Sequence, residues 1–225
     1  MKKKIFIVLF ISISTISLAQ INEIGFFVGN ANYVGDIGRT NYLYPSKPAG
    51  GIIYKWNWNP RIAVRGTYSY LPIGANDLDS KNAIRKSRGY KFTNIIHELA
   101  VGIEFNFFEY DLSSRNKFFT PYILLEFAAF NYQTPQSVTS VGGVVYTDKT
   151  SYAIPFGIGY KARLMYHLAF AIEAKARYTF EDDLDYSTSR FPSLNFGGKG
   201  NDWYFFTGVS LVYTFGRPAC YADPK

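Results

Sequence analysis

The sequence predicts an all-β fold: an eight-stranded antiparallel transmembrane β-barrel with long extracellular loops and short periplasmic turns. Three observations predict it. Segments of alternating apolar and polar residues recur eight times, the connections between them alternate long and short, and the chain opens with an export signal. The clearest segment is Leu168 to Phe180. Leu168, Phe170, Ile172, Ala174, Ala176, Tyr178 and Phe180 fall on one side at period two, with Glu173, Lys175, Arg177 and Thr179 on the other. At roughly 3.3 Å per residue it is about 40 Å long, far beyond the usual globular strand. Tilted by about 40°, it crosses an apolar band about 25 Å tall, its apolar side to lipid and its charges to a lumen. A soluble sandwich alternates in the same way strand by strand, so length, repetition and export decide between the two.

Residues 1–19 read as a signal peptide: Lys2, Lys3 and Lys4, an apolar run from Ile5 to Leu18, then Ser17-Leu18-Ala19 as a small-x-small cleavage pattern. Residues 20–215 are expected to form the barrel, and 216–225 a periplasmic C-terminal tail. No later segment reaches the 18 or so apolar residues of a spanning helix. Without the three signal lysines, 21 basic residues stand against 17 acidic ones, a modest excess with no basic block. Together with export, this argues against a nucleic-acid partner. Aromatic residues make up 19% of the chain and charged ones only 18%, a balance suited to two interfacial belts beside outer-membrane lipid.

Taken in order, Asn22 to Val34 is the first strand, with Ile24, Phe26 and Val28 opposed to Glu23, Gly25, Phe27 and Gly29. A loop is expected from Gly35 to Ala49. Gly51 to Trp58 follows, and Asn57-Trp58-Asn59-Pro60 makes a tight turn because Asn tolerates the left-handed region and Pro cannot continue a ladder. Arg61 to Leu71 is the third strand, and Pro72 to Thr93 is expected to be a long structureless loop. Asn94 to Phe107 is the fourth, with His97 the one polar residue on its outward side. Phe118 to Asn131 is the fifth, Tyr132 to Thr150 a long loop with a hairpin near Gly142-Gly143, and Ser151 to Leu164 the sixth. Met165-Tyr166-His167 turns into the seventh, Glu181 to Asp202 is the last long loop, and Trp203 to Phe215 is the eighth. Pro121 and Pro155 sit awkwardly, since a closed barrel has no free edge to excuse proline. The first is near a strand start, and the second is expected near the outer rim.

Eight strands leave a lumen that side chains just fill. Lys55, Arg65, Lys161, Arg163, Lys175 and Arg177 are placed to pair there with Glu98, Glu104, Glu126 and Glu173, because an unpaired buried charge costs several kcal/mol or so. The expectation is a plugged interior, not a pore. No catalytic, cofactor or metal site is expected, nor a small-molecule substrate. His97 and His167 lack a neighbouring nucleophile, and Gly157-Ile158-Gly159 is followed by no helix that would make a phosphate loop. Glu181, Asp182, Asp183 and Asp185 are expected to be a solvated acidic loop. Cys220 is the sole cysteine, in the tail, and a lone thiol in an oxidising compartment suggests an intermolecular disulfide or a free reactive group.

Several stretches in order resemble the PorG family, the small outer-membrane barrel of the type IX protein secretion system of Bacteroidetes. They are Tyr33-Val34-Gly35-Asp36-Ile37, Pro45 to Ala49, Tyr54-Lys55-Trp56-Asn57 with Asn59-Pro60-Arg61, and Arg88-Gly89-Tyr90 with Phe92. The others are Gly102-Ile103-Glu104-Phe105-Asn106-Phe107-Phe108, Thr120-Pro121-Tyr122, and Phe215-Gly216-Arg217-Pro218 followed by Cys220-Tyr221. The resemblance implies a non-enzymatic barrel that ties the periplasmic ring of the lipoprotein PorK and of PorN to the outer membrane, with no catalytic residues to carry over. On that reading the periplasmic tail, through Arg217, Cys220 and Tyr221, and the periplasmic turns are the expected ring contact, with Cys220 the candidate for a disulfide to a ring subunit. The alternative is a stand-alone barrel resembling OmpX or OmpA that acts in adhesion or envelope integrity.

Overall fold

The structure is a computed structural model that describes residues 21–42, 44, 46–110, 119–139, 143–165, 167–196 and 200–216. The signal-peptide segment and the tail residues Arg217, Cys220 and Tyr221 lie outside them. Eight strands run in chain order: β1 (Ile21–Val34), β2 (Lys47–Asn57), β3 (Ile62–Asn76), β4 (Lys91–Asn106), β5 (Phe119–Val138), β6 (Val144–Met165), β7 (Leu168–Thr179) and β8 (Trp203–Phe215). Each pairs antiparallel with the next, and β8 closes onto β1. The closing ladder runs from Asn22↔Phe215 to Val34↔Trp203, so the sheet keeps no free edge along the barrel.

Polarity is inverted relative to a soluble protein. Leu99 is 66% exposed and Ile158 65%, whereas Arg65 is 1% exposed and Glu104 0%. The ring turns the side chains predicted as apolar outward and those predicted as charged inward, and a spanning barrel alternates in this way. Rings gather at both ends of the wall. Trp56 stacks on Trp58 and Phe119 on Tyr160 toward the turns, while Phe127 stacks on Tyr152 and Tyr178 packs edge-on against Trp203 toward the loops. His97 faces outward as expected, its Nδ1 2.9 Å from the Tyr68 hydroxyl.

Two of the turns are tight. Between β2 and β3 the Asn59 side chain accepts from the backbone N–H groups of Arg61 and Ile62, both at 2.8 Å, and Met165 pairs with Leu168 across the β6–β7 turn. β1 begins and β8 ends at this same end.

The strands outrun expectation at the opposite end. β2 starts at Lys47 instead of Gly51, since Lys47 to Gly50 ladder onto Val28 to Ala31. Pro72 to Thr93 is not structureless. β3 continues to Asn76 and β4 starts at Lys91, joined by a 3-10 turn (Asp77–Asp79) and a short helix α1 (Ala83–Arg88) that ends on Gly89 in the left-handed region. Leu71, Ile73, Phe92 and Ile96 turn inward there and are buried together, an apolar layer that rewards the extension. Most of Tyr132 to Thr150 is likewise a two-stranded ribbon, paired from Tyr132↔Lys149 to Val138↔Val144, with a hairpin tip closed between Thr139 and Gly143. The polar composition of these stretches hid strands that project past the membrane.

The prolines find room in different ways. Pro121 is near the start of β5, as expected. Pro155 lies inside β6, not at its end; the β5–β6 register stops at Leu125↔Phe156 and resumes unshifted at Ala128↔Ala153. The missing N–H is accommodated by a local gap in one ladder. Because Ile158 sits in the middle of the outer wall, Ile158→Arg is expected to destabilise the barrel by about 2–4 kcal/mol in a bilayer. Urea unfolding in lipid vesicles reads this; an unchanged midpoint would place that face outside the hydrocarbon.

Candidate functional site

The alternation that turns apolar residues to lipid brings charges from seven strands into one lumen. Arg65 crosses from β3 to Glu173 on β7, with its Nη1 2.7 Å from Oε2, and also lies 3.2 Å from Glu104 and 3.1 Å from Glu126. Glu104 meets Lys55 at 2.8 Å and Lys161 at 2.6 Å. Lys175 reaches Glu126 at 3.0 Å and Glu173 at 3.6 Å, and Arg177 pairs with Glu98 at 3.1 Å. Nine of the ten residues singled out from sequence are thus ion-paired in the lumen, seven of them in one connected network and Arg177 and Glu98 as a separate pair. The tenth, Arg163, is also buried, toward the turn end and within electrostatic range of Tyr110.

Phenols complete the network. Tyr122 donates to Glu173 at 2.7 Å and Tyr204 to Glu98 at 2.6 Å. The Tyr122 ring has its place because Gly159 faces it. A Cβ on Gly159 would collide with the ring carbons, so the glycine is a steric requirement of the filled lumen. Glu23 is a buried member that pairing by charge did not single out, because it takes its hydrogen bond from the Asn57 amide at 3.0 Å. Its inward parity in β1 was the available signal. The chemistry of this lumen is structural: cations and carboxylates brace strands across the barrel.

The loop end is closed by a second set of contacts. Asp77 is fully buried and takes two hydrogen bonds from Arg88, at 2.6 and 2.9 Å, and others from the backbone of Gly38 and Tyr90. Burial opposes its ionisation, yet Arg88 and these N–H groups hold its carboxyl below the ordinary range. Arg85 donates to the carbonyls of Gly35 and Gly38, which ties α1 to the β1–β2 loop. The β7–β8 loop folds inward over the mouth. Lys149 binds Glu181 at 2.6 Å and Asp183 at 3.1 Å, and Tyr132 donates to Asp183. The expectation of a solvated acidic loop is therefore corrected: Asp183 and Asp185 are buried, because Tyr132, Thr134, Lys149 and Tyr33 supply donors that composition does not reveal. Asp182 stays half-buried, pushed up to about 6 by desolvation and by the charges of Asp36 and Asp183. Among the described residues, no three His, Cys, Asp or Glu side chains converge as metal ligands.

At the turn end, stretches distant in sequence are knitted together. Asn106 donates its amide to the Pro60 carbonyl at 3.1 Å, and Arg61 donates to the Phe107 carbonyl at 2.8 Å while pairing with Glu109 at 3.3 Å. Thr120 and Phe108 bond to each other, at 2.9 Å from the Phe108 N–H. The Tyr110 N–H closes on the Pro60 carbonyl at 3.0 Å.

A closed eight-stranded antiparallel ring with an apolar wall and a charged lumen is a transmembrane β-barrel, and solved structures of similar outline are small outer-membrane barrels. Ail of Yersinia pestis matches at 15% identity over 88% of this chain and 100% of its own, with a TM-score of 0.48. A major outer membrane protein of Thermus thermophilus matches at 12% over 88% and 100% (TM-score 0.49), and the N-terminal barrel domain of Pseudomonas aeruginosa OprF at 9% over 87% and 97% (TM-score 0.47). No curated protein matches the sequence. The chain belongs to the family described as a domain of unknown function, DUF6089, whose model matches residues 2–224.

Glu104 anchors three cations at once, so Glu104→Gln leaves excess positive charge in the lumen. A loss of about 3–5 kcal/mol is expected, the cost of breaking a buried pair from one side. The unfolding free energy in vesicles measures it; a loss below about 1 kcal/mol, the worth of an exposed pair, would contradict a dry network.

Proposed function

We propose that this chain is a non-enzymatic barrel of the outer membrane that anchors the periplasmic PorK/PorN ring of a type IX secretion machine. The observation that carries the reading is the construction of the turn end. Three of the stretches that resemble the PorG family, Asn59-Pro60-Arg61, Gly102 to Phe108 and Thr120-Pro121-Tyr122, meet there through the Asn106–Pro60, Arg61–Phe107 and Thr120–Phe108 hydrogen bonds. A platform braced in this way is suited to bear a load from the periplasm. β8 ends at the same side, where Phe215 pairs with Asn22, and the proposal assigns Arg217, Cys220 and Tyr221, outside the described residues, to the same partner.

The lumen supports the non-enzymatic part of the reading. Its charged groups are committed to one another and to the strands, leaving the barrel a rigid post. The filled interior also argues for attachment rather than transport.

Co-purification from envelopes in mild detergent tests the anchor. PorK and PorN are expected to be retained with the barrel, and Arg61→Glu to reduce their retention severalfold while leaving the folded gel mobility unchanged. A folded barrel that retains neither protein would instead be the stand-alone kind resembling OmpX or OmpA. If Cys220 bonds a ring subunit, a larger species on non-reducing gels disappears with reductant and with Cys220→Ser; its absence removes the disulfide alone.

A further inference from the structure

Besides the Lys149, Tyr132 and Thr134 contacts, a hydrogen-bonded triad holds the β7–β8 loop over the mouth. The Tyr33 hydroxyl lies 2.5 Å from Asp202 Oδ1 and 2.8 Å from Asp185 Oδ2, and it accepts from the Asp36 N–H at 3.2 Å. The remaining carboxylate oxygens are already engaged: Asp202 Oδ2 accepts from the Leu184 N–H at 3.0 Å, and Asp185 Oδ1 from the Ser187 N–H at 2.8 Å. Both aspartates are buried, Asp185 at 0% and Asp202 at 1% exposure.

A phenol carries one hydrogen and can donate to only one of two carboxylates. The other short contact needs a hydrogen of its own, and the only group able to supply it is a carboxyl. With one aspartate protonated, the phenol donates to the ionised one and accepts from the acid and from Asp36, and every atom is satisfied. With both ionised, two negative charges face one oxygen in a dry pocket, an arrangement that like charges at this range forbid.

We propose that Tyr33, Asp185 and Asp202 form a proton-binding site that holds the β7–β8 loop closed over the mouth of the barrel, and that loss of the proton frees the loop. The surroundings favour the protonated state. Asp36 from the β1–β2 loop and Asp182 from the β7–β8 loop add negative charge, and Tyr132 of β5 and Tyr90 face the pair as neutral phenols. Arg88, from the end of α1, is the cation in range, and both its bonds to a carboxylate go to Asp77. Lys149 and Arg190 are taken by Glu181 and Asp183, so among the described residues neither Asp185 nor Asp202 has an ion pair. Desolvation first, then Asp36 and Asp182, push Asp185 up to about 7, and Asp202 is driven well above the carboxylate range by burial and by Asp185.

The sign follows from linkage. The closed loop binds the proton more tightly than the open loop, so closure is at full strength below the ordinary carboxylate range. It weakens as pH rises toward the closed-state value, by about tenfold in the opening equilibrium per pH unit for one proton. The proposal is independent of any ring contact at the opposite end.

Amide hydrogen exchange of the full folded protein in lipid nanodiscs, corrected for intrinsic rates, reads the opening at Leu184 and Ser187. Protection is expected to fall about tenfold per pH unit between about pH 5 and 7, while β7 amides stay constant. Asp202→Asn keeps the hydrogen-bonding shape without the charge and should give flat protection across that range, as should Asp185→Asn; Asp183→Asn should keep the wild-type slope. Flat protection in the wild-type protein, or an unchanged slope in both Asn variants, would overturn the proposal. Should either variant not fold, the wild-type slope alone decides.

Discussion

Inside hydrocarbon an unsatisfied backbone N–H or C=O costs several kcal/mol or so, and a sheet meets that constraint only by closing on itself. In this chain the closure is the β1–β8 ladder, and much else follows from it. Eight strands joined in a ring leave an interior too narrow for a wide channel, so it is filled by side chains. The period of two then dictates that whatever does not face lipid must share that interior. Arg65, Arg177, Lys55, Lys161 and Lys175 are tolerated there because Glu98, Glu104, Glu126 and Glu173 arrive from other strands at bonding distance. Alone, any of them would be a large penalty; together they brace the wall that keeps the backbone satisfied.

The two ends are finished differently. At the turn end, where both barrel termini emerge, the contacts are backbone carbonyls gripped by Asn106 and Arg61, short and stiff. At the loop end the strands climb beyond the aromatic residues and support a layered cap of apolar side chains, the Asp77–Arg88 pair, and the folded β7–β8 loop. The residues resembling the PorG family divide between these ends: Tyr33 to Ile37 and Arg88 to Tyr90 belong to the cap, Pro60 and Asn106 to the platform. Under the proposed function the stiff platform is the end that would meet a periplasmic partner, and the proton-sensitive cap is the opposite end.

The barrel was legible in the sequence because its signal is long and repeated. From Leu168 to Thr179 each step changes face, and that one rule placed both the lipid wall and nine of the ion-paired charges of the lumen. The cap was not legible. Ile73 and Phe92 lie among Pro, Gly and polar residues that read as loop, and their inward parity has meaning only once β3 and β4 are known to continue side by side. Asp183, Asp185 and Asp202 look like solvated loop acids until the ring brings Tyr132 and Tyr33, far earlier in the chain, against them. Charge composition reports how many acids a loop has; only topology tells which donors they meet. Glu23 escaped pairing by charge for the same reason, its partner being a neutral amide.

The central claim is that hydrocarbon, not protein, covers the outer side of the ring. Single cysteines placed in turn from Leu168 to Thr179, each carrying a fluorophore, test it directly in vesicles with a lipid-soluble and a water-soluble quencher. Quenching from the lipid phase should alternate residue by residue, strong at Phe170, Ile172, Ala174 and Ala176 and weak at Ala171, Glu173 and Lys175. Equal quenching by the aqueous agent at both sets of positions would contradict the account.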